Sequence, residues 1–78
     1  KQTQFTPYEG IYVIARQHNG KTILTVLNGK SSEATMNVKR YAEVIGNHRS
    51  ATDILTGNTM NLTQDIPLKS RDVMILEF

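Results

Sequence analysis

Seven carboxylates carry most of the potential chemistry in this sequence: Glu9, Glu33, Glu43, Asp53, Asp65, Asp72 and Glu77. Two of them working as general acid and base would have to face each other across a cleft, one with a raised pKa. Their spacing scatters them over strand ends and turns, the pattern of a solvated rim. His18 adjoins an Asn-Gly pair and His48 lies in a polar stretch; no second histidine stands at ligand spacing, and no His-Glu-x-x-His occurs. Cysteine is absent, which excludes a disulfide framework, a thiolate metal site and a thiol nucleophile. No glycine-rich phosphate loop, Walker lysine or G-x-S-x-G nucleophile elbow is present. Asn61-Leu62-Thr63 matches a glycosylation sequon, but so short a match arises by chance and a threonine in a β-rich chain needs no further role. Trp is absent and only Tyr12 falls inside a central strand, so no platform of adjacent rings can be drawn for bases or sugars.

The elements that would position these residues are mostly strands. Ile11 to Ala15 and Lys21 to Leu27 are β-branched and aromatic runs on either side of Asn19-Gly20, the strongest short hairpin signal, because a type I′ turn needs positive φ at both central residues. A second turn signal, Asn28 to Ser32, leads into Glu33 to Val38, where Ala34, Met36 and Val38 alternate with polar residues as in a half-solvated strand. The period then changes. Tyr41, Val44 and Ile45 share one helical side, predicting two helical turns over Lys39 to Ile45 that Gly46 would end. Asp53 to Leu55 and Thr59 to Leu62 flank Gly57-Asn58, predicted as a two-residue hairpin turn, and Pro67 confines Ile66 and Leu68 to an edge strand or a bulge. Asp72 to Phe78 predicts a last strand.

Length and composition bound what these elements can build. Seventy-eight residues make one small domain. Ile, Leu, Val and Phe form about a quarter of the chain, above the roughly one-fifth below which chains tend to stay disordered. The net charge of +2 and pI near 9.2 reflect interspersed charges with a small basic excess, not a basic stripe. No apolar run approaches the roughly 18–20 residues that span a bilayer, and Lys1-Gln2-Thr3-Gln4 lacks the apolar stretch of a signal peptide. The opening in mid-pattern without a methionine is expected of a piece of a longer protein, and a processed terminus would look the same.

Five segments in order give the chain a family likeness. Ile11-Tyr12-Val13-Ile14-Ala15-Arg16, the hairpin into Lys21 to Asn28, the helical Arg40-Tyr41-Ala42-Glu43-Val44, then Asp53-Ile54-Leu55-Thr56-Gly57, and finally Ile66 to Glu77, resemble the C-terminal domain of cyclomaltodextrinase- and neopullulanase-type enzymes of the α-amylase family. The likeness runs from about Tyr8 to Phe78. It implies an all-β fold, a small antiparallel β-sandwich with Greek-key connections and one short helix, following a catalytic (β/α)8 barrel that owns the catalytic carboxylates and subsites. None of those barrel motifs occurs here, so the resemblance implies an inert accessory domain of an α-glucan hydrolase, with no catalytic residue, cofactor or metal of its own. Its partner would be the barrel of the same parent chain, with glucan reached only through the parent, no nucleic acid and no membrane. The resemblance favours a periplasmic or extracellular setting.

One feature of the residues themselves agrees with a partner. Ile11 to Ala15, Ile23 to Leu27 and Val73 to Leu76 carry apolar residues at both parities, so both sheet faces need cover, from closure of the sheet or from a partner surface. Residues 1–10 are expected to be a connecting segment and 11–78 the sandwich, with Phe5, Tyr8, Ile11 and Tyr12 as the candidate domain interface. The alternatives are an OB-like nucleic-acid-binding barrel, which binding that weakens steeply with salt would mark, and a free-standing glycan-binding module.

Overall fold

A computed structural model describes all 78 residues, Lys1–Phe78. Eight strands form two antiparallel layers: β1 (Gln2–Gln4), β2 (Ile11–His18), β3 (Lys21–Asn28), β4 (Ala34–Met36), β5 (Ser50–Asp53), β6 (Thr59–Asn61), β7 (Ile66–Leu68) and β8 (Val73–Glu77). Six of them make one sheet in the order β1-β2-β3-β8-β5-β6, and β4 pairs with β7 in a second, two-stranded sheet. The larger sheet is open, with β1 and β6 at its edges, so closure into a barrel is not how its second face is covered.

The β2–β3 hairpin forms where its turn chemistry places it. Asn19 and Gly20 take φ of 50° and 78°, the two left-handed conformations of a type I′ turn, and His18 pairs with Lys21 directly across it. Glu9 and Gly10, also at positive φ, reverse the chain just before β2, with Tyr8 and Ile11 exchanging backbone hydrogen bonds of 3.0 and 2.9 Å. Residues 2–4 are not loose: they pair with Ile14 to Arg16 as an edge strand, and the Phe5 N–H donates to the Val13 carbonyl at 3.1 Å.

Three local expectations are corrected. The helical stretch begins as a 3-10 turn over Val38–Tyr41 and becomes α only over Ala42–Ile45 (α1). The Asn37 side chain accepts from the Lys39 N–H at 3.2 Å and Asp65 accepts from the Val38 N–H at 3.2 Å, so the N-terminal donors are capped where the turn is tightest, and Val38 leaves the preceding strand to open it. The predicted side does face inward, with Tyr41, Val44 and Ile45 buried. The β5–β6 connection is not a two-residue turn at Gly57-Asn58. It is a five-residue loop, 54–58, because buried Asp53 accepts the Leu55 N–H at 3.1 Å and its carbonyl accepts those of Thr56 and Gly57, which ends the strand earlier than the apolar Ile54-Leu55 pair suggests.

Seventeen buried apolar residues fill the space between the layers. Ile11, Val13 and Ala15 of β2, Leu24 and Val26 of β3, and Met74 and Leu76 of β8 point inward; Ala34, Met36, Ile66 and Leu68 of the small sheet meet them, and Tyr41, Val44 and Ile45 close one end. Pro67 sits opposite Thr35 on the outside of the small sheet, where a missing N–H costs nothing. Asn28 is the one fully buried polar side chain. Its amide donates to the carbonyls of Ser32, Lys69 and Leu68 at 2.9, 2.9 and 3.3 Å, and its oxygen accepts the Lys30 N–H at 2.9 Å, which bolts the end of β3 to the exit of β7.

Candidate interaction surface

Only one face of the six-stranded sheet is covered. The register places its outward residues in rows across the strands: Tyr12–Leu27–Val73, then Ile14–Thr25–Ile75, then Arg16–Ile23–Glu77–Thr52. Ile54 extends the middle row, its N–H donating to the Ile75 carbonyl at 2.9 Å. Tyr12, Ile14, Leu27, Val73 and Ile54 are between 37% and 51% exposed, whereas the inward Ile11, Val13, Leu24 and Val26 are at most 1% exposed. The contrast separates the two parities that the sequence left mixed. The result is a contiguous apolar centre on the broad face of a molecule measuring 35 × 26 × 19 Å.

The borders of this centre are polar. Gln2 and Gln4 of β1 flank Arg16 and Ile14 on one side, and Ser50, Thr52, Thr59 and Asn61 of the β5–β6 pair line the other. Charge lies at both ends, in Arg16, Lys21 and Glu77 at one, with Lys21 and Glu77 4.0 Å apart on exposed side chains, and in Lys30 and Arg71 at the other. At this second end the Tyr12 ring lies on Gly29. A Cβ at that position would come within 2.8 Å of the ring and displace it, so glycine serves there for room, not for an unusual φ. Arg71 also donates to the Gly29 carbonyl, holding the corner.

The four residues expected at a domain interface separate. Ile11 is in the core and offers nothing to a partner, because its parity is inward: it sits across from buried Asn28. Phe5 packs edge-on against Tyr41 with centroids 4.9 Å apart, half-buried at the margin of the core. Tyr8 is exposed beneath the Arg40 guanidinium, 3.8 Å from its ring centre, and burial of the neighbouring Tyr41 raises that phenol's pKa above 10.0 against the opposing pull of Arg40. Tyr12 alone of the four joins the outer face. The four-residue candidate interface leaves out Ile14, Ile23, Leu27, Ile54, Val73 and Ile75, most of them in runs that the sequence marks as apolar at both parities; the signal that could have placed Ile14 is that the even positions of β2 continue into Arg16 and His18, which marks that parity as outward.

Four of the seven carboxylates are occupied by the fold. Asp53 holds the Leu55 and Ile75 N–H groups, Asp65 the Val38 N–H, Asp72 the Val73 N–H, and Glu77 faces Lys21. His48 places Nδ1 3.0 Å from the Ile45 carbonyl and its ring against Phe78. No three His, Asp or Glu residues gather where they could hold a metal ion. On the other layer a shallow groove of about 400 Å³ runs between Val38, Ala42, Ile45 and Leu62, with Lys39 and Asp65 at its rim. No helix is long and apolar enough to cross a membrane.

Residues 2–77 match the family model of the cyclo-malto-dextrinase C-terminal domain, nearly the whole chain. The chain belongs to this family of C-terminal domains of cyclomaltodextrinase-type enzymes in the α-amylase family. Among solved structures it is similar in fold to AmyP, crystallised as a variant with maltotriose, at a TM-score of 0.77 and 17% identity. The superposition covers 99% of this chain and 16% of that one, so the same fold occurs there within a much longer polypeptide.

Proposed function

We propose that this domain is a non-catalytic accessory module of an α-glucan hydrolase of the neopullulanase or cyclomaltodextrinase type, and that its contribution is to stabilise the catalytic barrel of the same parent chain by packing on it. The observation that carries the proposal is the uncovered apolar face on a domain whose family places it at the C-terminal end of such enzymes. The carboxylates support the inert part of the reading, because four of the seven hold backbone N–H groups of the fold itself or face a lysine. The parent would act on α-1,4 links in starch fragments, pullulan or cyclodextrins, and this module would meet the glucan only through it.

Truncation tests the proposal. A parent lacking this domain is expected to melt at a lower temperature and give less folded protein, while the surviving barrel keeps its turnover on short soluble oligosaccharides. The isolated chain, incubated with starch, pullulan and cyclodextrin, is expected to release no reducing sugar above a buffer control. A truncated enzyme that melts at the parent's temperature but binds polymeric glucan less well would replace the stabilising role with glycan binding.

A further inference from the structure

We infer that Asn19 is a site of spontaneous covalent modification in the folded protein, deamidating through a cyclic imide to aspartate and isoaspartate, while the fold keeps the chemically identical Asn-Gly pair at Asn28 intact. The co-reactant is water. The inference concerns the chain itself and stands apart from what its parent does.

The chemistry needs a free backbone nitrogen beside a free side-chain amide. The nitrogen of the residue after the asparagine gives up its proton to solvent and attacks the side-chain carbonyl carbon. A C–N bond forms there, the bond to the amide NH2 breaks, and ammonia leaves with a proton returned from solvent, which closes a five-membered imide. Water then opens either C–N bond of that ring. One cut gives aspartate; the other gives isoaspartate, in which the main chain runs through the side-chain carboxyl carbon. Glycine after the asparagine favours the attack because it has no Cβ to crowd the nitrogen. Of the six asparagines, only Asn19 and Asn28 precede glycine.

The structure treats the two pairs oppositely. Asn19 and Gly20 form the exposed tip of the β2–β3 hairpin: the Asn19 side chain makes no hydrogen bond, the Gly20 N–H has no partner, and a Cβ at Gly20 would have nothing within 4 Å. Such a tip frays by parting one pair, His18 with Lys21, so the turn reaches the geometry of attack while the core stays closed. At the second pair both reacting groups are taken. The Gly29 N–H donates to the Gly10 carbonyl at 2.8 Å, and the buried Asn28 amide holds the carbonyls of Ser32, Lys69 and Leu68 and the Lys30 N–H. Attack there waits for the layers to part, a state held at any instant by about one molecule in a thousand or fewer. The two products of Asn19 differ in their effect on the turn. Asp-Gly also suits a type I′ turn, so aspartate keeps the hairpin. Isoaspartate adds a carbon to the main chain of a two-residue turn and parts His18 from Lys21.

Peptide mass spectrometry of the unmutated chain is the test, because trypsin cuts after Arg16, Lys21 and Lys30 and so puts the two pairs on separate peptides, 17–21 and 22–30. The chain is held in mildly alkaline buffer, once folded and once in concentrated guanidinium chloride, with a zero-time digest as the blank. Unfolded, both peptides are expected to exchange NH2 for OH at similar rates. Folded, peptide 17–21 is expected to react within about tenfold of its unfolded rate and to separate into aspartate and isoaspartate forms, and peptide 22–30 to be slowed by about a hundredfold or more. Equal slowing of both peptides in the folded chain would overturn the inference, since the turn would then shield Asn19 as well as the core shields Asn28. Equal rates in the folded and unfolded chain at both sites, or a faster reaction at Asn28, would overturn it from the other side, and so would an unfolded chain in which neither reacts. Reacted protein carries one unit less than the net charge of +2, and ion exchange isolates it. Asn19→Asp, which has the aspartate product alone, is expected to melt with the unreacted chain, and the reacted fraction, which has both products, to show a second, lower transition. A single transition at the unreacted temperature would overturn the effect assigned to isoaspartate.

Discussion

Replacing Asn28 by alanine should unfasten the two layers from each other. The amide has two N–H groups and meets three carbonyls, so it makes two full hydrogen bonds at 2.9 Å and shares a third at 3.3 Å, while its oxygen takes the Lys30 N–H. Three bonds at about 0.5–1.5 kcal/mol each, with the Leu68 carbonyl left in a buried setting, give a loss of about 2–4 kcal/mol. A chain of this length has a total stability of roughly 4–12 kcal/mol, so the change is a large fraction of it. Urea denaturation followed by circular dichroism is the assay. With a slope near about 1 kcal/mol per molar for so small a domain, the midpoint should fall by roughly 2–4 M. Asn28→Asp keeps the shape and the oxygen facing Lys30 but turns the donors into acceptors pointed at three carbonyls, so it should be at least as damaging near neutral pH. An Asn28→Ala midpoint within about 0.5 M of the unmutated protein, with the slope unchanged, would refute the reasoning and reduce Asn28 to an ordinary turn residue.

Two further outcomes are expected. Gly20→Val should cost about 1–2 kcal/mol, and purely through backbone conformation, because φ is 78° and nothing lies within 4 Å of the added Cβ; a denaturant midpoint equal to the parent's would argue against the turn. Tyr41 has a raised pKa in the folded state, so the folded protein holds its proton when the unfolded chain has lost it; stability should be intact below pH 10 and decline as pH climbs past it toward the folded value, and Tyr41→Phe should flatten that alkaline limb in melts taken between pH 9 and 11.

What could be read from the sequence was what is encoded within a few residues. Asn19-Gly20 fixed the β2–β3 hairpin, the alternation of Ala34 and Met36 fixed β4, and Pro67 placed β7 at an edge. Gln2–Gln4 gave no signal because an edge strand with one polar face is stabilised by its neighbour's hydrogen bonds and not by its own pattern. The 54–58 loop was hidden for a similar reason: a buried aspartate sets it, reaching to Ile75 on another strand. For the surface, the surplus of apolar residues was legible but its location was not. Ile11 and Tyr12 are equally plausible outward residues until the register with Asn28 and Leu27 assigns their faces, which is how Ile11 came to be expected on the outside although it is buried in the core.

The position of β8 has a consequence for how the chain is made. It is the last strand in order, yet it lies at the centre of the large sheet, joining β3 to β5. Until Val73–Glu77 has left the ribosome, the β2–β3 hairpin and the β5–β6 hairpin share no strand, and the long edge of β3 stays unpaired. At roughly 5–20 residues per second the wait between the completion of β3 and the arrival of β8 is a few seconds, long compared with the microseconds in which a hairpin closes. During that interval β3 is a template for any other nascent chain. The yield of folded protein is therefore set late in translation. A chain that stops before residue 73 would leave two hairpins with nothing between them, and would be expected to aggregate rather than persist as a smaller domain.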